Sequence, residues 1–157
     1  MQCYRRIIRP LLIRSNCKFC FCDYNKNDFF KSLQEQDVDL LIENSKEEIK
    51  KISLKAQKVL WGSIFAETIS NKSTNQEGWA SYCKADLIFY TVINETDFSN
   101  YKIYIFNPKN LQKLDLTKYK VENGTTKTTN CYYHSEGRIV PIGDIPGLIT
   151  LNPKDLL

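Results

Sequence analysis

The alternation of apolar and polar positions predicts a β-hairpin from two segments, 37–42 and 52–57, joined by a turn at 44–48. Side chains alternate between the two faces of a strand, so each segment has an apolar row and a polar row. The apolar positions are Val38, Leu40, Ile42, Ile52, Leu54 and Ala56. The polar positions are Asp37, Asp39, Ser53, Lys55 and Gln57. A tight return between the arms brings both polar rows onto one face of the sheet.

Other segments extend this pattern into a single α+β domain dominated by a sheet. Further strands are predicted at 19–24, 62–69, 85–93 and 101–106. The run 85–93 is continuous and rich enough in β-branched and aromatic residues for a central position. A short helical turn or a loop is predicted at 29–36, a helical turn at 79–84 and a short helix at 108–114.

The last part of the chain predicts a loop followed by a second hairpin. Residues 118–130 are polar, basic and threonine-rich, which favours a mobile surface loop. Residues 131–133 and 138–142 predict the arms of the hairpin, with Gly137 in its turn.

Composition supports one ordered domain at 23–157. The 157 residues are 42% hydrophobic and 12% aromatic, enough to bury a core without help from disulfides. A net charge of +4 is compatible with a polyanionic partner but is too small to indicate one alone. No apolar run reaches the length of a membrane span.

Residues 1–22 differ from the rest and predict a basic N-terminal arm. Arg5, Arg6, Arg9, Arg14 and Lys18 carry charge there, and the first acidic residue is Asp23. An organellar targeting segment has the same composition. A basic arm or one frayed strand is the preferred interpretation.

Six cysteines in a chain with no secretory signal predict free thiols in a reducing compartment, hence a cytoplasmic protein. Cys17, Cys20 and Cys22 could supply three zinc ligands, with Cys3 as a fourth. A second ligand pair at suitable spacing is missing, and Phe19 and Phe21 alternate with the cysteines as in a buried strand, so zinc is the weaker interpretation.

The polar face of the first hairpin carries the candidate chemistry. An aspartate can hold a hard divalent cation, and a lysine can steady a phosphate, which is an incomplete set for metal-assisted phosphodiester cleavage. The alternative is a salt bridge between Asp39 and Lys55 on a solvated sheet face, which contributes little to stability.

The order of these residues resembles the PD-(D/E)XK nuclease superfamily, in particular restriction-endonuclease-like proteins of phage and mobile elements. The resemblance covers residues 24–146 and includes Asp-x-Asp-Leu-Leu-Ile from Asp37 and Lys-x-Gln from Lys55. Its more specific part is the block 62–71, followed by a Gly-Trp turn and the segment 85–90. The resemblance implies a domain with a central mixed β-sheet and a few short helices.

The resemblance also implies roles for individual residues in magnesium- or manganese-dependent cleavage of DNA. Asp39 matches the metal-binding aspartate, Lys55 the lysine that assists attack on phosphate, and Gln57 a polar residue that helps position them. The second acidic position falls on Ser53, which is a departure from the family pattern. Glu67, or alternatively Asp37, could supply the missing carboxylate. A helix that usually contributes a further glutamate is replaced here by the basic arm.

Two functions therefore remain open: a nuclease, possibly acting as a homodimer, and a catalytically inactive module that binds DNA or a protein partner. Exposed lysines between Lys109 and Lys127 could contact phosphate, although most such lysines only keep a surface soluble. Trp61 and Trp79 are predicted core anchors, Asp86 a strand-end hydrogen-bonding residue, and His134 a surface residue beside the predicted Gly137 turn.

Overall fold

The computed structural model describes residues 2–22, 27–58, 62–94, 97–127 and 132–152. The helices are α1 (Gln2–Arg14), α2 (Asp28–Glu35), α3 (Trp79–Tyr82) and α4 (Pro108–Gln112). The strands are β1 (Lys18–Phe21), β2 (Leu40–Glu43), β3 (Ile49–Lys58), β4 (Ser63–Asn71), β5 (Gln76–Glu77), β6 (Leu87–Asn94), β7 (Asp97–Phe106), β8 (Val121–Lys127), β9 (Tyr132–Pro141) and β10 (Ile149–Leu151). Two short 3₁₀ helices cover Leu116–Lys118 and Ile142–Asp144.

Six strands form a mixed sheet in the order β1-β2-β3-β6-β7-β10. The first predicted hairpin is confirmed, because β2 and β3 pair antiparallel with Leu40 opposite Ile52. Strand β6 lies inside the sheet as predicted and runs parallel to β3. The predicted α+β class with a mixed sheet and short helices is therefore confirmed.

The connection between β3 and β6 contributes a second sheet. A parallel neighbour can be reached only by a crossover, and here the crossover contains β4, β5 and α3. Strand β4 joins β5, β9 and β8 in a four-stranded antiparallel sheet of order β5-β4-β9-β8.

Two apolar clusters cover opposite faces of the six-stranded sheet. The larger cluster joins it to the four-stranded sheet and contains Ile64, Ala66, Trp79, Ile88, Tyr90, Phe106, Leu111 and Val140 among others. The smaller cluster packs α1 on the other face, with Ile8 and Leu12 against Leu40, Ile52, Leu54 and Ile103. No helix among the described residues is long and apolar enough to cross a membrane.

The N-terminal segment is not a frayed strand. Helix α1 buries Ile8 and Leu12, and the following β1 pairs antiparallel with β2 as an edge of the six-stranded sheet. The sequence pattern did not indicate this helix because Arg9 and Pro10 interrupt its apolar residues, and in the structure both lie on its exposed side with Arg6 and Arg14.

The predicted loop at 118–130 is wrong over 121–127, and the predicted hairpin turn at Gly137 is also wrong, while residues 128–130 lie outside the described residues. Val121–Lys127 forms β8, which pairs with β9 along its whole length. Strand β9 runs without a turn from Tyr132 to Pro141, with Gly137 opposite Glu67 of β4. Gly137 is required by packing, since a Cβ there would lie 2.7 Å from the ring of Phe65.

Val38 does not share a face with Leu40 and Ile42, contrary to the prediction. It lies in the larger cluster, whereas Leu40 lies under α1. Asp37 has a left-handed backbone with φ 61°, which interrupts the extended chain before β2, so regular strand alternation does not include Val38. Strand β2 accordingly begins at Leu40.

Candidate active site

Lys55 and Asp37 form a largely buried ion pair on the face of β3 that carries the larger cluster. The Nζ of Lys55 lies 2.5 Å from Oδ1 of Asp37, and the two side chains are 18% and 12% exposed. The hydroxyl of Ser53 donates to Oδ2 of the same aspartate at 2.8 Å. Both oxygens of Asp37 are therefore bound by side chains from one strand.

Asp39 shares this face and interacts electrostatically with Lys55. Its Oδ2 accepts a hydrogen bond from the Leu54 amide at 2.8 Å, while its own amide donates to Ile52 at 2.9 Å. Burial raises the pKa of Asp39, although the charge of Lys55 and the Leu54 amide oppose that increase. A positive charge close to this carboxylate would favour its ionised form.

The structure brings Asp39 and Lys55 together but gives Lys55 a different direct partner from the one expected. The salt bridge considered from the sequence was Asp39–Lys55, and the bond formed is Asp37–Lys55. The carboxylate of Asp37 also lies beside Ser53, the position that departs from the nuclease pattern. The carboxylate of Asp37 therefore lies next to residue 53, in the region that the carboxylate of a longer acidic side chain at residue 53 would occupy.

The backbone between α2 and β2 explains how Asp37 reaches this position. The Asp37 amide donates to the carbonyl of Gln34 at 2.9 Å, which closes the turn after α2. Aspartate is one of the few residues that adopts the left-handed conformation without a large cost. A residue in this conformation at a cluster of charged groups is often part of a functional site.

The environment of Lys55 keeps its amine protonated. Burial lowers the pKa of Lys55, but the charges of Asp37 and Asp39 raise it by more, so that the net pKa lies above the ordinary value. The ammonium also lies 5.6 Å from the ring centroid of Trp79, which is a favourable cation–π distance. Trp79 is only 6% exposed, so its predicted role as a core anchor is confirmed.

Gln57 lies on the same face of β3 but connects the two sheets. Its Oε1 accepts hydrogen bonds from the Phe65 amide at 2.9 Å and from the Tyr90 hydroxyl. Because the Phe65 amide can only donate, these bonds fix the orientation of the Gln57 amide. Its buried Nε2 has no hydrogen-bond partner among the residues that the structure describes.

Glu67 on β4 lies within electrostatic range of Asp37 and Lys55 and accepts a hydrogen bond from Ser135. Burial raises the pKa of Glu67, and Lys55 opposes that effect. Gly78 allows the backbone to pass close to Glu67, because a Cβ at residue 78 would lie 2.3 Å from the Glu67 carbonyl oxygen. Glu67 therefore borders the ion pair as a third acidic residue, and it contributes no direct bond to Lys55 among the contacts of the described residues.

Two carboxylates match what magnesium uses in proteins, where waters and substrate phosphates supply the other ligands. Asp37 and Asp39 are the pair that could hold such an ion, because both interact with Lys55 on one face of β3. Within the described ranges, no three Asp, Glu, Cys or His side chains form a group that could hold a metal by themselves. The residues thus fit a weakly held, water-rich magnesium ion rather than a closed metal cage.

Cys83 is a neighbour of the ion pair that the sequence did not indicate. Burial, followed by the charge of Asp37, raises the pKa of its thiol to about 12. A thiol with so high a pKa is a poor nucleophile, so Cys83 acts as a packing residue. No sequence motif around Cys83 indicates this contact, because only the turn after α3 brings its thiol close to Asp37.

The other candidate residues lie away from this cluster. Cys17 packs under α1, Cys20 is exposed on β1 and Cys22 is buried in the larger cluster, so these three thiols do not converge. Asp86 accepts a hydrogen bond from the Lys51 amide at 2.8 Å, which confirms its strand-end role. His134 is exposed as predicted but lies within β9 rather than beside a turn. Trp61, Cys131 and the side chain of Cys3 lie outside the described residues.

The chain was also compared with protein families, with curated proteins and with solved structures. These comparisons found no match.

Proposed function

We propose that the protein hydrolyses phosphodiester bonds in DNA with the help of magnesium or manganese. The observation that carries this proposal is the convergence of Asp37, Asp39 and Lys55 on one face of the sheet. Two carboxylates and one ammonium form the smallest set that can hold a hard cation and stabilise a phosphate. The proposal assigns to Asp37 the acidic role that Ser53 cannot fill.

Each residue has a distinct part in the proposed reaction. Asp37 and Asp39 would hold the ion, which when bound polarises phosphate and lowers the pKa of a coordinated water. Lys55 would donate to a phosphate oxygen as negative charge develops there. Its largely buried position strengthens that interaction, because little water competes with it.

DNA would reach the cluster from the side of the turn after α2. The Lys84 amide donates to the carbonyl of Gln36 at 3.1 Å, which places an exposed lysine next to Asp37. A lysine in this position can neutralise one backbone phosphate. Its contribution would be independent of base sequence.

One observation favours the alternative of a catalytically inactive binding module. Lys55 is already neutralised by Asp37, and the Ser53 hydroxyl completes the bonding of that carboxylate. An ion pair whose two partners already neutralise each other can stabilise the fold whether or not a substrate is bound. Cleavage therefore requires Lys55 to exchange Asp37 for phosphate when the metal binds, a step that an inactive module does not make.

The test is nicking of supercoiled plasmid by the full chain in magnesium or manganese. We expect Asp39→Asn and Lys55→Gln each to reduce nicking by at least about a hundredfold, the size of effect seen when one group that stabilises transition-state charge is removed. Lys46→Gln, at an exposed position in the turn between β2 and β3, is the matched control and should nick normally. Metal-independent DNA retardation without nicking would instead identify a DNA-binding module, and the absence of both activities at low salt would exclude both nucleic-acid functions.

The acidic role of Asp37 has its own test. Asp37→Asn should lose nicking, and a second change, Ser53→Asp, should restore part of it by returning a carboxylate to the same place. Ser53→Glu in the natural background should not increase nicking, because Ser53 is fully buried against the existing carboxylate. If Ser53→Glu alone raised activity, the site would be lacking a carboxylate and Asp37 would not be filling that role.

A further inference from the structure

An apolar cavity lies under α1, on the face of the six-stranded sheet opposite Lys55. Its volume is about 260 Å³. The lining residues are Ile8, Leu11, Leu12, Ser15, Cys17, Ile42, Phe89, Ile103, Ile105 and Leu151. It is independent of the proposed nuclease site, because adjacent residues of β3 point to opposite faces.

The polar character of this cavity is confined to one end. Ser15 and Cys17 are its two lining residues with polar side-chain atoms, and both belong to the connection between α1 and β1. All other lining side chains are hydrocarbon. A cavity that is apolar along its length and polar at one end matches an amphiphile with a single chain.

The charges around the polar end favour an anionic head group. Arg14 precedes Ser15 directly and is exposed at the end of α1, and the outer side of the same helix carries Arg6 and Arg9. The acidic residue on the adjoining strand, Glu43, is already paired with Lys18 at 2.7 Å. Arg14 is thus the cation next to the polar end that can meet a carboxylate.

From these features we propose that the cavity binds a free fatty acid of medium chain length. An engineered cavity of about 150 Å³ accommodates benzene, with its six carbons, so a volume of 260 Å³ corresponds to about ten carbons. The alkyl chain would lie between α1 and strands β6 and β7. The carboxylate would lie at the Ser15 end, within the field of Arg14.

Cys17 provides a direct test because its half-buried thiol lines the cavity. The unmodified chain is alkylated with and without decanoate, below the concentration at which decanoate aggregates. Cleavage after Arg14 and Lys18 then puts Cys17 on a peptide of its own. We expect decanoate at ten times its dissociation constant to slow alkylation of Cys17 about tenfold, because only the unoccupied fraction of the protein reacts.

The exposed Cys20 of β1 is the internal control, since it lies outside the cavity and should react at the same rate in both samples. No protection of Cys17, or equal protection of Cys20, overturns the proposal. Decanol that protects as well as decanoate at equal concentration overturns the anionic head group, as does an Arg14→Gln variant with undiminished decanoate affinity.

A pair of variants tests the location without relying on thiol chemistry. Leu11→Trp fills the cavity from α1, whereas Ile13→Trp adds the same ring on the exposed side of the same helix. In calorimetric titrations with decanoate, Leu11→Trp should abolish binding and Ile13→Trp should leave it unchanged. Equal binding to both folded variants contradicts the proposal.

Discussion

At the scale of single residues, the Asp37–Lys55 pair has a large expected effect on stability. Both side chains are mostly buried, so each charge has lost most of its hydration. Their mutual attraction and the Ser53 hydroxyl offset that loss, and removal of one partner leaves the other charge uncompensated. The raised pKa of Lys55 means that its stabilising contribution is present below the pKa of the unfolded lysine and is lost as pH rises through the folded value.

A double-mutant cycle measures the coupling energy between Asp37 and Lys55. We expect Asp37→Asn to cost about 3 kcal/mol, the lower end for a buried pair, since 18% of the Lys55 side chain remains exposed. Asp37→Asn combined with Lys55→Met should cost less than the sum of the two single changes. Urea denaturation gives the free energies of unfolding.

The exposed pair Lys120–Glu122, with its charged atoms 3.1 Å apart, is the matched control for this cycle. Glu122→Gln and Lys120→Met should show a coupling energy below about 1 kcal/mol, as is usual for surface ion pairs. Similar coupling energies at the two pairs would mean that Asp37 and Lys55 are not desolvated in solution.

The pH dependence of stability tests the burial of Glu67. Its raised pKa means that folding favours the protonated form, so its stabilising contribution is complete below the unfolded pKa and is lost as pH rises through the folded value. Glu67→Gln removes this titration while an amide oxygen can still accept from Ser135. The variant should therefore gain stability relative to the natural chain as pH rises above about 4.5, the usual pKa of glutamate, measured by urea denaturation. Glu122→Gln controls for net charge, and an equal gain there would contradict the prediction.

At the scale of elements, regular alternation was a reliable guide within β2 and β3, although not at Val38 before β2, and glycine was a poor guide. Alternation predicted the β2–β3 hairpin and placed Ser53, Lys55 and Asp39 on one face, because pairing and burial both follow the same period of two. Gly137 was predicted to lie in a turn, but the residue is a glycine because the ring of Phe65 from the neighbouring strand leaves no room for a Cβ. The sequence contains no sign of that ring, because Phe65 lies far away along the chain.

Asp37 shows a similar limit within the site. Its position in the polar row of the hairpin was predicted, but its bond to Lys55 depends on a left-handed backbone that alternation does not include. The usable signal was its position as the first residue of a predicted strand, directly after the segment 29–36, where aspartate often closes a turn.

The packing role of Gly137 leads to a prediction with a matched control. Gly137→Ala would place a Cβ 2.7 Å from both the Phe65 ring and the Ala66 carbonyl oxygen, and we expect it to cost about 1–3 kcal/mol through overpacking. Gly143→Ala meets no atom within 4 Å and should change stability by less than about 0.5 kcal/mol. Thermal or urea unfolding of the two variants measures both values. Equal stability of the two variants would indicate that β9 does not pack against Phe65 as described.

At the scale of the whole molecule, the six-stranded sheet is held between two different partners. The four-stranded sheet covers one face through the larger cluster, and α1 covers the other through the smaller one. The order of the strands was not predictable, because β3 and β6 become parallel neighbours only after the chain has built β4, β5 and α3. Long-range pairing of this kind is decided by total burial rather than by any local pattern.

The contribution of α1 to the fold can be measured with two isoleucines on the same helix. Ile8 is 1% exposed against the sheet, so Ile8→Ala should cost about 2–5 kcal/mol through lost burial and the cavity left behind. Ile13 is 60% exposed, and Ile13→Ala should change stability by less than about 0.5 kcal/mol. Both are measured by urea denaturation followed by circular dichroism. A helix that acted only as a detachable basic arm would give two small and equal effects. A large loss at Ile8 alone would instead make α1 part of the cooperative fold, because the sheet face that it covers has no other helix packed on it among the described residues.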